Sequence, residues 1–119
     1  MDGLITDSAG GVPAGTFLAP VRQGTMQLPP PIREYCEAQG WSLFRFEVRD
    51  KDHVSIEPVM PGEAREFHAS LGPDGKLWMP AELREKVQLG EQSVMLRVEE
   101  GAIRMYLRKV FETLGFRPA

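Results

Sequence analysis

The sequence predicts a mostly β protein with short helices: two tandem units that share one core as an intramolecular pseudo-dimer. Three observations predict it. The chain repeats itself at an offset of 51 residues. Each copy runs strand, turn, extended run, proline, helix and hairpin. Neither copy alone can bury its apolar strands, because a short helix and an isolated hairpin are both marginal in water.

The repeat is clearest when GTMQLPPPIREYC (24–36) is set beside GKLWMPAELREKV (75–87). Gly24 meets Gly75, Leu28 meets Met79, Pro29 meets Pro80 and Ile32 meets Leu83. The pair Arg33-Glu34 meets Arg84-Glu85. After one gap Gly40 meets Gly90 and Val48 meets Val98; after another, Val54 and Ile56 meet Ile103 and Met105. Each match is weak alone, but their order and preserved apolar periodicity mark a duplicated unit.

Each element follows from local chemistry. Phe67, Ala69 and Leu71 alternate with polar neighbours, as a half-buried strand does. Gly72-Pro73-Asp74-Gly75 is a dense turn signal. Leu77-Trp78-Met79 resumes an extended run, and Pro80 opens a helix at a place where its missing N–H costs nothing. AELREKVQL places Leu83 and Val87 on one helical face, with Gly90 as its stop. SVMLRVEEGAIRMYL reads as a hairpin through Glu99-Glu100-Gly101. The first unit repeats the plan: Phe17, Ala19 and Val21 alternate, Gln23-Gly24 turns the chain, and Met26 to Leu28 extends. Prolines 29–31 lead into IREYCEAQ, Gly40 closes that helix, and LFRFEV and HVSIEPV pair around Asp50-Lys51-Asp52.

The expected organisation is a disordered Gly/Ala/Ser-rich arm at 1–15, a first unit at 16–60, a linker at 61–65 and a second unit at 66–107. A tail at 108–119 completes it, where Val110, Phe111 and Leu114 continue a helical spacing that begins at Leu107.

Composition bounds the function. The 119 residues suit one domain or two half-domains sharing a core. A single cysteine, Cys36, excludes an internal disulfide framework and fits a reducing compartment. No apolar run approaches the roughly 18 residues of a membrane span, and no signal peptide is evident, so the expected location is cytoplasmic and off the membrane. The formal charge of −3 does not announce a nucleic-acid binder. It is unevenly spread, with five Lys/Arg against nine Asp/Glu in residues 1–64 and nine against eight in residues 65–119.

Gly75-Lys76-Leu77-Trp78-Met79-Pro80-Ala81-Glu82-Leu83-Arg84 resembles the swapped-hairpin motif of the AbrB/SpoVT/MraZ family. There a strand and a Gly-basic turn lead into an apolar run, a proline, a helix and a hairpin. The second unit matches over about 40 residues and the first more loosely, in an MraZ-like arrangement with both repeats in one chain. The resemblance implies a swapped-hairpin β-barrel and a DNA-binding transcription regulator or a DNA-binding antitoxin of a toxin–antitoxin pair. It implies double-stranded DNA as partner, gripped by Arg22, Arg33, Lys76, Arg84 and Lys86 around the turns and helix starts. The family's basic residue after the turn glycine falls on Lys76 in unit two and on Thr25 in unit one. Trp78 stands where an MraZ-like signature carries arginine. The grip is therefore expected to be asymmetric and dominated by unit two.

Each candidate has a plainer reading. Lys76 is otherwise a solvated turn lysine, and Arg33 and Arg84 otherwise serve structure through neighbouring carboxylates. Trp41 and Trp78 are readable as stacking platforms for bases, though core or rim packing is the simpler assignment. His53 and His68 lack metal-like spacing, and no metal or other cofactor is expected. Cys36 has no catalytic partner at motif spacing and reads as a buried thiol. With no phosphate-cradling glycine loop either, no enzyme is expected. The alternative function is a protein-interaction module that keeps the fold and loses DNA, including an antitoxin-like role with a protein partner on the C-terminal tail. The oligomeric state stays open, a homo-oligomer included.

Overall fold

The computed structural model describes residues 11–50, 52–60 and 68–107. Residues 1–10 of the arm, all of the linker and the tail from 108 onward therefore lie outside the described residues, as does Phe67. Eight strands and two helices follow in order: β1 Phe17–Arg22, β2 Thr25–Gln27, α1 Pro30–Gln39, β3 Leu43–Asp50, β4 His53–Pro58, β5 His68–Ser70, β6 Lys76–Trp78, α2 Ala81–Lys86, β7 Gln92–Glu99 and β8 Ala102–Tyr106. The strands form one sheet in the order β5-β3-β4-β8-β7-β1-β2-β6, every neighbouring pair antiparallel. A bridge between Leu71 and Leu77 brings the two ends together, so the sheet is a nearly closed barrel.

The strand order is unchanged when each strand of residues 17–58 is exchanged for its counterpart in residues 68–106. The registers obey the same exchange. Met26, on β2, pairs with Leu77, its own equivalent on β6. Ser55 pairs with Arg104, with Val54 opposite Met105 and Ile56 opposite Ile103. Ala19 opposes Val94 as Ala69 opposes Phe44. The Leu28 N–H donates to the Gly75 carbonyl at 2.9 Å, and the Met79 N–H donates to the Gly24 carbonyl at 2.7 Å. A pseudo-two-fold axis thus runs through the barrel, and β1 completes the sheet of the second half while β5 completes that of the first.

The core lies inside the barrel because alternate residues of each strand point there. Phe44, Met26, Leu77, Leu96, Ile103 and Met105 are among its fully buried side chains. Ile32 and Leu83 enter it from the two helices, both at 0% exposure. Each helix starts after an extended proline, Pro29 or Pro80, and neither uses a side-chain cap.

The helix ends differ from expectation in one place. Gly40, at φ 75°, closes α1, with the Trp41 N–H donating to the Cys36 carbonyl at 2.8 Å. The corresponding bond after α2 runs from the Leu89 N–H to the Arg84 carbonyl, also 2.8 Å. The left-handed residue there is Gln88, at φ 54°. Gly90 is therefore not the stop; the shorter helix reverses two residues earlier, with Leu89 turned into the core.

Candidate nucleic-acid interface

The turn between β1 and β2 is the two-residue pair Gln23-Gly24, at φ 51° and 77°. Such mirror-image turns match the natural twist of a hairpin. The matching turn between β5 and β6 carries one more residue and is closed by the Gly72 N–H donating to the Lys76 carbonyl at 2.9 Å. Because β2 pairs with β6, the two turns flank one outer face. A groove there, about 490 Å³ in volume, is lined by Pro20, Arg22, Gln23, Thr25, Gln27, Lys76 and Glu91.

The five expected site residues divide into three groups. Arg22 and Lys76 share the groove. Arg22 is exposed and has no ion-pair partner among the described residues. Lys76 approaches Asp74 at 3.8 Å with both side chains largely in solvent, a contact worth little.

Arg33 and Arg84 lie beneath the turns. Arg33 sends Nη2 to the Pro73 carbonyl at 2.6 Å and Nε to Glu37 at 3.3 Å. Arg84 sends Nε to the Met79 carbonyl at 3.0 Å. Each arginine also packs on the turn glycine of the opposite half. A Cβ on Gly75 would stand 2.9 Å from Arg33 Cδ, and one on Gly24 would stand 3.2 Å from Arg84 Cζ. These two guanidinium groups brace the turns that carry Arg22 and Lys76. Lys86, exposed at the end of α2, does not line the groove.

The remaining described arginines are matched elsewhere. Arg45 and Arg49 engage Glu57, Arg97 engages Glu99 at 3.2 Å, and Arg104 engages Glu100 at 2.9 Å. All four belong to the β3-β4-β8-β7 part of the sheet.

Two contacts in the groove have no mark in the sequence spacing, and one residue outside its lining, Trp78, departs from the simpler expectation. The Glu91 carboxylate accepts the Gln23 N–H from 68 residues away, a contact with no local signature. Gln27 reaches the Asp74 carbonyl with Nε2 at 3.0 Å. Trp78 is 52% exposed, where packing was the simpler expectation. The signal was present in the alternation: Leu77 and Met79 are both fully buried, so the residue between them points outward. Trp41 does pack as expected, edge-on to Tyr35 and Phe44 with ring centroids at 5.3 and 6.4 Å.

The other candidates have structural roles. Cys36 is fully buried, and burial, with a smaller contribution from Glu37, pushes its thiol up to about 12. It is un-ionised at neutral pH and a poor nucleophile. His53 stacks on Tyr106 at 4.5 Å. No group of three potential metal ligands occurs among the described residues. Likewise, no helix among them is long and apolar enough to cross a membrane. A scan against protein-family models finds no match to the chain, and neither does a search of curated proteins.

Proposed function

We propose that this protein is a DNA-binding transcription regulator that holds the phosphate backbone against the outer face of β2 and β6. The observation that carries this reading is the meeting of Arg22 and Lys76 in one groove, the first with no ion-pair partner among the described residues and the second only loosely paired. Backbone contacts of this kind supply most non-specific affinity and position a protein on the duplex. Arg33 and Arg84 support the grip from behind by fixing the turns. The resemblance of 75–84 to the AbrB/SpoVT/MraZ motif points the same way.

The test is a salt titration of binding to mixed-sequence duplex DNA. Affinity should fall steeply with salt, and Lys76→Ala or Arg22→Ala should each lower the logarithmic salt slope by about one. Thr25→Lys should strengthen binding by adding the cation that unit one lacks. Glu91→Gln should also strengthen it, by removing a carboxylate from the groove. A salt-insensitive affinity, or none at low salt even in Thr25→Lys, would exclude the reading.

Glu91 also favours a second reading. An acidic group inside the groove, in a chain of formal charge −3, suits a protein-interaction module whose hold on DNA has been lost. No binding of duplex DNA at low salt, by the natural chain or by Thr25→Lys, is the outcome that selects it. The proposed partner-binding tail lies outside the described residues.

A further inference from the structure

We propose that Trp78 is a base-stacking residue, and that this face prefers DNA with unpaired bases to a perfect duplex. The inference rests on the DNA-binding reading and adds the chemistry of what is recognised.

Trp78 and Lys76 are alternate residues of β6, so both stand on the outer face about 6.8 Å apart along the strand. Trp78 is 52% exposed, which is unusual for so large an apolar ring, whereas Leu77 between them is fully buried. Trp78 lies opposite Thr25 and Lys76 lies opposite Gln27 on β2. One indole, one ammonium, a hydroxyl and an amide therefore share this outer face. An aromatic face beside a cation is how many proteins hold an unpaired strand: the ring takes a base and the cation takes a phosphate. Inside a perfect duplex both base faces are occupied by neighbouring bases, so the indole gains nothing there.

The pseudo-symmetry strengthens this. The equivalents of Lys76 and Trp78 in the first half are Thr25 and Gln27, which offer neither a charge nor a ring. A protein reading a palindromic duplex presents the same side chains in both halves. This face presents its stacking group once, beside the axis, as suits a single strand crossing it.

The experiment compares three labelled probes at equal salt: a short perfect duplex, the same duplex with a central unpaired bubble, and one strand alone. The intact protein should bind the bubble and the single strand about tenfold more tightly than the duplex, the scale of one base stacked on an aromatic ring. Trp78→Ala should erase that preference while leaving duplex affinity within about twofold, and Trp78→Phe should retain most of it. In a Trp41→Phe background, the emission of Trp78 should be quenched by the single strand. Equal affinity for all three probes, or a preference that survives Trp78→Ala, overturns the inference. If duplex binding remains salt-dependent in that case, the DNA-binding reading stands without it. If no probe is bound, both fall.

Discussion

At the scale of single residues, the tightest constraints are two glycines that each touch an arginine of the other half. Gly75 has φ 82°, and a methyl group on it would meet Arg33 Cδ at 2.9 Å. Gly75→Ala should destabilise the protein by about 1–3 kcal/mol in urea melts. Gly24→Ala should cost less, because its added methyl would meet only the far end of the Arg84 chain. Arg33→Ala combined with Gly75→Ala should lose less than the sum of the two single changes, since both act at one contact. His53 makes a different residue-scale prediction. Burial lowers its pKa, the Arg104 charge lowers it further, and Asp50 opposes. The folded state therefore favours the neutral ring. Its contribution to stability is present above the ordinary imidazole value of about 6.5 and is lost as pH falls from there toward the lower folded value. His53→Phe keeps an aromatic ring against Tyr106 and removes the proton, so the stability curve below pH 7 should flatten. An unchanged slope in that variant would assign the pH dependence to another group.

At the scale of elements, α1 and α2 do the same job at different lengths. Each places a central apolar side chain, Ile32 or Leu83, in the barrel interior, and the longer α1 adds Cys36. Leu83→Ala should destabilise by roughly 2–5 kcal/mol, as truncation of a fully buried leucine does. Gln88→Gly should stabilise by about 1 kcal/mol, because a side chain in the left-handed region is strained and glycine is not. Calorimetry reads both. The elements were largely legible in the sequence because their signals are local. Proline before a helix, glycine in a turn and period-two alternation are written within a few residues of where they act. The helix stop was misplaced for the same reason: Gly90 carries the usual signal, but burial of Leu89 sets the reversal at Gln88. The groove was half legible. Arg22 and Lys76 announce themselves as turn cations, whereas the approach of Glu91 to Gln23 depends on β1 pairing with β7 and has no local mark. In the sequence, Arg33 and Arg84 read as helix-start cations. Their work under the opposite turn follows only from the exchange of strands between halves.

At the scale of the whole molecule, neither half closes a barrel alone. β1 has its long partner in β7, and β5 has its partner in β3. Residues 1–60 and 61–119 made as separate peptides should each lack cooperative unfolding, and mixing them should restore the barrel's circular dichroism and a sigmoidal melt. Separate cooperative melts of the two peptides would contradict the shared core. In the reconstituted pair the melting temperature should rise with peptide concentration, because association is bimolecular. In the intact chain it should not, because the residues joining β4 to β5 hold the two halves at a fixed effective concentration. The axis that relates the halves thus relates two surfaces free to diverge. In a dimer of identical chains any change near the axis appears twice. Here Thr25 and Gln27 face Lys76 and Trp78 across it, so one half can acquire a ring and a charge while the other keeps small polar groups. Joining the units end to end converts a symmetric scaffold into one whose outer face differs from one side of the axis to the other.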